Sequence, residues 1–175
     1  MSSIFRLSES QLGTASIPRY LGVTMLEMVM VLAVIAVLAL IALPSFGPRI
    51  IRQQIVSALP LADIAKTPVA LLWATTQTFP ADNAAAGLPP AEKIVNTYIS
   101  AVAVNNGAID ITFGNSANAL IKGKLLTLRP AVVTDAPIVP VTWVCGSANV
   151  PGGMTVMGEN RTNIPVNYLP LSCLP

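Results

Sequence analysis

The sequence predicts an α+β chain in which a long N-terminal membrane and stalk helix packs on a four-stranded antiparallel sheet, with a C-terminal disulfide loop closing the fold. Three observations predict it. An apolar run with a single charged residue, Glu27, extends from Val23 to Leu43. Beyond it, apolar residues recur at helical spacing and then alternate in runs separated by an Asn-Gly pair. The 2 cysteines, Cys145 and Cys173, both lie near the C-terminus.

The apolar run is the first element. About 21 residues at 1.5 Å rise give roughly 31 Å, the hydrocarbon thickness that a spanning helix must cover. Glu27 sits near its start. An ionised carboxylate there costs several kcal/mol unless a cation meets it, so Glu27 calls for a partner. Cleavage after the small residue Gly22 would supply one, the freed amine of Val23. That amine lies about one turn from Glu27 in the same helix, and at the end of a packing surface it would meet Glu27 of another copy. Neutralisation then requires assembly. A secretory signal would be cut beyond the run, but Leu43-Pro44-Ser45-Phe46 lacks a small-x-small pattern. Arg6 and Arg19 keep the leading segment cytoplasmic, so the remainder is exported.

Gly22, Val23, Thr24, Met25, Leu26 and Glu27, followed by a long apolar helix, resemble the N-terminus of type IV pilins and pseudopilins. The resemblance implies that a prepilin peptidase cuts between Gly22 and Val23 and N-methylates Val23. Residues 1–22 are then a leader peptide, 23–48 a transmembrane and filament-core helix, and 49–175 a globular domain with its disulfide loop. Val23 stands where the family usually has Phe, and Ala36 where it has a mid-helix Gly. Pro44 matches the family's proline at the exit of the helix, and Arg52 a basic residue that follows it.

Pro44, with Gly47-Pro48, interrupts the helix and predicts a bend at 44–48. From Arg49 to Thr78, Ile51, Ile55, Leu59, Val69, Leu72 and Trp73 mark an amphipathic helix whose apolar face lies on a sheet. Pro60 and Pro68 predict kinks in it, or a restart at Pro68 capped by Thr67. Ala81 to Ala91 reads as a loop. Tyr98 to Val104 and Ala108 to Phe113 form a hairpin about Asn105-Asn106-Gly107, and Leu125 to Arg129 and Val141 to Cys145 add two strands.

Composition limits the rest. The chain is 53% hydrophobic, only 10% charged, and carries a formal net charge of +2. Weak repulsion between copies is a hazard for an isolated soluble protein and permissive for a subunit that packs laterally. About 130 residues follow the helix, enough for one domain. Pairing Cys145 with Cys173 stabilises the fold by roughly 3 to 4 kcal/mol in the chain-entropy model and implies an oxidising compartment. With no His and no second Cys pair, the two thiols do not make a zinc site.

The segments Gly123 to Pro130, Trp143-Val144-Cys145 and Leu169 to Cys173 resemble the strand and disulfide-loop signatures of type IVa major pilins. Trp143, an aromatic residue beside the disulfide, reads as packing rather than recognition. Nothing along the chain has the make-up of a catalytic centre, a phosphate loop or a metal cluster, so the chain reads as a non-enzyme without cofactor or metal. The triplet Asn160-Arg161-Thr162 matches a glycosylation sequon and carries no functional weight.

The resemblance implies a structural subunit of a type IV pilus, made as a precursor in the bacterial inner membrane and polymerised with its own kind into an extracellular filament for adhesion or twitching motility. Its implied partners are the prepilin peptidase, an inner-membrane platform protein, an assembly ATPase and an outer-membrane secretin. Two alternatives come from other classes. Lys122, Lys124 and Arg129 would contact DNA if this were a minor pilin for DNA uptake, against the plainer reading of a solvated strand edge. A type II secretion pseudopilin would share the N-terminal helix but normally lacks the disulfide loop.

Overall fold

The computed structural model describes Gly22, residues 24–42 and residues 46–175. The leader up to Leu21, Val23 and Pro44 lie outside the described residues. The chain divides into two compact units, Met1–Leu43 and Pro44–Pro175.

In the first unit, helix α1 spans Met25–Ala42, 18 residues or about 27 Å of axial rise. It contains neither Gly nor Pro and, Glu27 in its first turn apart, is apolar all round. Its side chains are exposed from Met25 at 90% to Leu40 at 72%. A helix of this kind is stable only where protein or lipid surrounds it.

The second unit opens with α2 (Phe46–Ala58), a 3₁₀ turn (Leu59–Ala62) and α3 (Asp63–Thr76). Pro48 falls in the first turn of α2, where a missing N–H costs nothing. A boundary at 48/49 therefore lies inside a helix. Pro60 sits in the 3₁₀ turn and Pro68 inside α3. The helix restarts at Asp63 rather than at Pro68. Asp63 suits the positive end of α3 and pairs with Lys66 at 2.8 Å. Thr67 does not cap a restart. Its hydroxyl donates back to the Asp63 carbonyl at 3.4 Å.

One buried stripe runs through all three segments: Ile51, Ile55, Ala58, Ala62, Ala65, Val69 and Trp73. Steps of three and four residues keep it on one side despite the tightened turn at Pro60. By length and composition Gly47–Thr76 is apolar enough to cross a membrane. Its stripe, however, already shares a core with Ile99, Val102, Ile109, Ile111, Phe113 and Leu126. The exposed helix α1 is the better candidate to meet lipid.

The sheet is an antiparallel meander in the order β1 (Ile99–Asn105), β2 (Ala108–Phe113), β3 (Leu125–Val132), β4 (Thr142–Cys145). Asn106 and Gly107 turn the first hairpin with φ of 46° and 84°. Positive φ at both central residues is the requirement that Asn-Gly meets. The expected four strands are present, with additions at the far end of β3. That strand passes through Pro130 to Val132, and a short β5 (Thr155–Val156) pairs with Ala131 and Val132. The Pro130 carbonyl accepts the Met157 N–H at 2.8 Å. A two-residue strand is too short to show alternation, and Pro130 reads in sequence as a stop.

Candidate functional site

At the start of α1 the Thr24 hydroxyl accepts the backbone N–H of Glu27 at 3.3 Å. Thr-x-x-Glu is the spacing of a helix-capping pair, a local sequence signal for the start of α1. Glu27 is exposed in the first turn, where the helix dipole favours an acid. Gly22 is exposed as well. The expected partner of Glu27, the amine of Val23, lies outside the described residues, as does Pro44.

At the other end of the sequence, Cys145 and Cys173 are bonded, with their Cα atoms 4.5 Å apart and both side chains buried. Trp143 packs half-buried against the core, as its place beside the disulfide suggested. The chain between the cysteines returns along β3. Strand β4 ends at Cys145 opposite Leu128. From there Gly146 donates to the Thr127 carbonyl at 2.9 Å, and the Thr127 N–H donates to the Thr162 hydroxyl at 3.0 Å. Asn163 accepts the Leu125 N–H at 2.6 Å on Oδ1 and donates its own N–H to the Leu125 carbonyl at 3.1 Å. Residues 162–163 thus take up the ladder positions that β4 leaves open.

Beneath this segment lies a polar cluster that sequence reasoning missed. Asp110 in β2 is 2% exposed. Its Oδ1 accepts the Thr127 hydroxyl at 2.7 Å; its Oδ2 accepts Asn105 Nδ2 and an Arg161 guanidinium N–H, each at 2.8 Å. Thr127 Oγ1 in turn accepts the Arg161 backbone N–H at 3.1 Å. A buried acid is tolerable only when so paired. The available signal was an acid between two isoleucines in a strand, but Arg161 is 51 residues away and nothing local names it.

The three basic residues do not make a free strip. Lys122 is exposed and donates to the Asn115 carbonyl at 3.1 Å, and Lys124 is half-buried. Arg129 is half-buried and donates to the Gly146 carbonyl at 3.0 Å, so it fastens the disulfide region. Nor is β3 a solvated edge. It pairs with β2 on one side and β4 on the other, and the strand-edge reading of Arg129 fails on that pairing.

Comparison with known proteins gives one family. The model of the pilin family, a bacterial filament protein, matches residues 52–174. The type IV major pilin protein PilE1 of Neisseria gonorrhoeae is 31% identical over 159 residues, covering 87% of this chain and 86% of its own. Fimbrial protein EcpC of Eikenella corrodens is 32% identical over 155 residues, covering 87% and 89%. A fimbrial protein of Neisseria meningitidis serogroup A is 33% identical over 126 residues, covering 71% and 72%. The family match takes in the sheet, the disulfide and the Asp110 cluster together, and the chain belongs to the pilin family of bacterial filament proteins.

Proposed function

We propose that the chain is a structural subunit of a type IV pilus, as its relatives named type IV major pilins are by name. The observation that carries this reading is α1, apolar on every side but for Glu27 and exposed from Met25 to Leu40, which needs neighbours or lipid to cover it. Before assembly the bilayer covers it; in the filament, other copies do. The machinery acts in a fixed order. A prepilin peptidase removes residues 1–22 and methylates Val23. The platform protein and assembly ATPase then draw the subunit from the inner membrane, and the filament leaves the cell through the secretin.

Glu27 guides insertion under this reading, because a carboxylate in an apolar core is favourable only beside a cation. The Val23 amine of another copy supplies that cation. Thr24 caps the first turn through the Glu27 backbone N–H, and the Glu27 side chain is exposed. The DNA-uptake reading has no observation in its favour, since Arg129 is engaged with Gly146. Electron microscopy of cells with and without the gene tests the proposal. Loss of surface filaments supports it, and unchanged filament numbers refute it.

A further inference from the structure

We propose that Asn106 is a spontaneous modification site, convertible to isoaspartate and aspartate through a cyclic imide, and that Phe79, Pro80 and Ala81 form a clamp holding this conversion off in the folded chain. The chemistry is that of an Asn-Gly pair. The backbone nitrogen of Gly107 loses its proton to hydroxide and attacks the side-chain carbonyl carbon of Asn106. The bond from that carbon to the amide nitrogen breaks, and ammonia leaves. Water then opens the five-membered imide at one carbonyl or the other, giving aspartate, or isoaspartate with an extra methylene in the main chain. No electrons are exchanged, and solvent supplies both co-reactants. Glycine makes the pair labile because no side chain shields its nitrogen.

The fold engages the attacking nitrogen elsewhere. Asn106 is exposed, whereas Gly107 is buried. The Gly107 N–H donates to the Pro80 carbonyl at 3.0 Å, and the Asn106 N–H to the Ala81 carbonyl at 3.1 Å. Phe79 stands so close that a Cβ on Gly107 would meet its Cγ at 2.6 Å. Cyclisation requires the Gly107 nitrogen to leave Pro80 and swing over the Asn106 side chain. The left-handed turn and the Asn105↔Ala108 pairing oppose that swing. Phe79 is itself anchored, stacked on Trp73 with ring centroids 4.7 Å apart. Trp73 belongs to the buried stripe of α3. The conversion rate therefore follows the population in which residues 79–81 have lifted. Conversion to isoaspartate is also self-locking. The added methylene lengthens a two-residue turn whose length sets the β1–β2 register.

The test uses the full-length chain in detergent micelles, folded or unfolded in guanidinium, incubated at mildly alkaline pH and body temperature. Digests are read by electron-transfer fragmentation, which distinguishes isoaspartate from aspartate. In the unfolded chain Asn106 should convert well ahead of Asn118, which precedes Ala119. In the folded chain it should convert at least about tenfold more slowly, and Phe79→Ala should fall between, with hydrogen exchange of the Gly107 amide rising in the same order. Where Phe79→Ala does not fold, Phe79→Leu serves as the intermediate arm. Equal rates in folded and unfolded chains, or a folded Phe79 variant as slow as the parent, would overturn the clamp. No excess of Asn106 over Asn118 in the unfolded chain would overturn the site.

Discussion

Oδ1 of Asn83 accepts the backbone N–H of Val104 at 2.6 Å, so a loop side chain closes the outer edge of β1. Its Nδ2 donates to the carbonyls of Val102 at 3.0 Å and Pro89 at 2.9 Å. One carboxamide thus stands in for the strand that β1 lacks, and an edge so occupied is a poor template for pairing with another chain.

Asn83→Ala should therefore cost about 2 kcal/mol, because it leaves partly buried backbone groups without partners. It should also raise self-association through β1. Thermal melts and light scattering in detergent check both effects. An unchanged melting temperature and particle size would remove Asn83 from this role.

The Asp110–Arg161 pair makes a second prediction. Arg161→Ala should destabilise the fold by roughly 2 to 3 kcal/mol, since it withdraws a charged donor from a buried acid. In a double-mutant cycle with Asp110→Asn, the coupling should exceed about 0.5 kcal/mol, the scatter expected of independent sites. Additive losses would mean that the two side chains do not cooperate.

Reduction of Cys145–Cys173 should cost about 3 to 4 kcal/mol in the chain-entropy model. Thr162 and Asn163 should nevertheless stay paired with β3, because their bonds to Thr127 and Leu125 do not depend on the bridge. Hydrogen exchange of the reduced, still folded chain should leave the Leu125 and Thr127 amides protected and release that of Ser147, which donates to the Cys173 carbonyl. Early loss of protection at Leu125 would show that the disulfide alone holds the segment.

These contacts mark the limit of what the sequence made legible. The apolar run became α1, the spacing of Ile51, Ile55, Val69 and Trp73 became the buried stripe, and Asn106-Gly107 became the first hairpin turn. Each rests on local periodicity or turn chemistry, which a single sequence carries in full. The bonds of Asn83 to Val102, Asn163 to Leu125 and Asp110 to Arg161 instead reach 19, 38 and 51 residues along the chain, and no local pattern encodes a partner at that distance. Pro60 and Pro68 were legible as disturbances, but the restart at Asp63 depended on a 3₁₀ turn that keeps the stripe on one side. The edge reading of β3 failed for the same reason: neighbours across a sheet, not residues along the strand, decide which strand is interior.

At the N-terminus, Glu27→Val should leave a processed membrane protein that assembles into few filaments, because the proposed charge pair with Val23 is lost. Thr24→Ala removes the cap at a cost of about 1 kcal/mol and keeps the charge, so its filaments should approach normal numbers. Counting filaments by electron microscopy separates the two. Normal numbers in Glu27→Val would make the pair unnecessary.

The proposed subunit is cut after Gly22 and built into a filament through α1. Mass spectrometry of filaments sheared from the cell surface tests this most directly, by reading the N-terminal peptide of this chain. The predicted result is a peptide beginning at N-methylated Val23, with Cys145 and Cys173 bonded in the same material. A chain absent from the sheared fraction, one retaining residues 1–22, or one cut beyond Leu43 would contradict it.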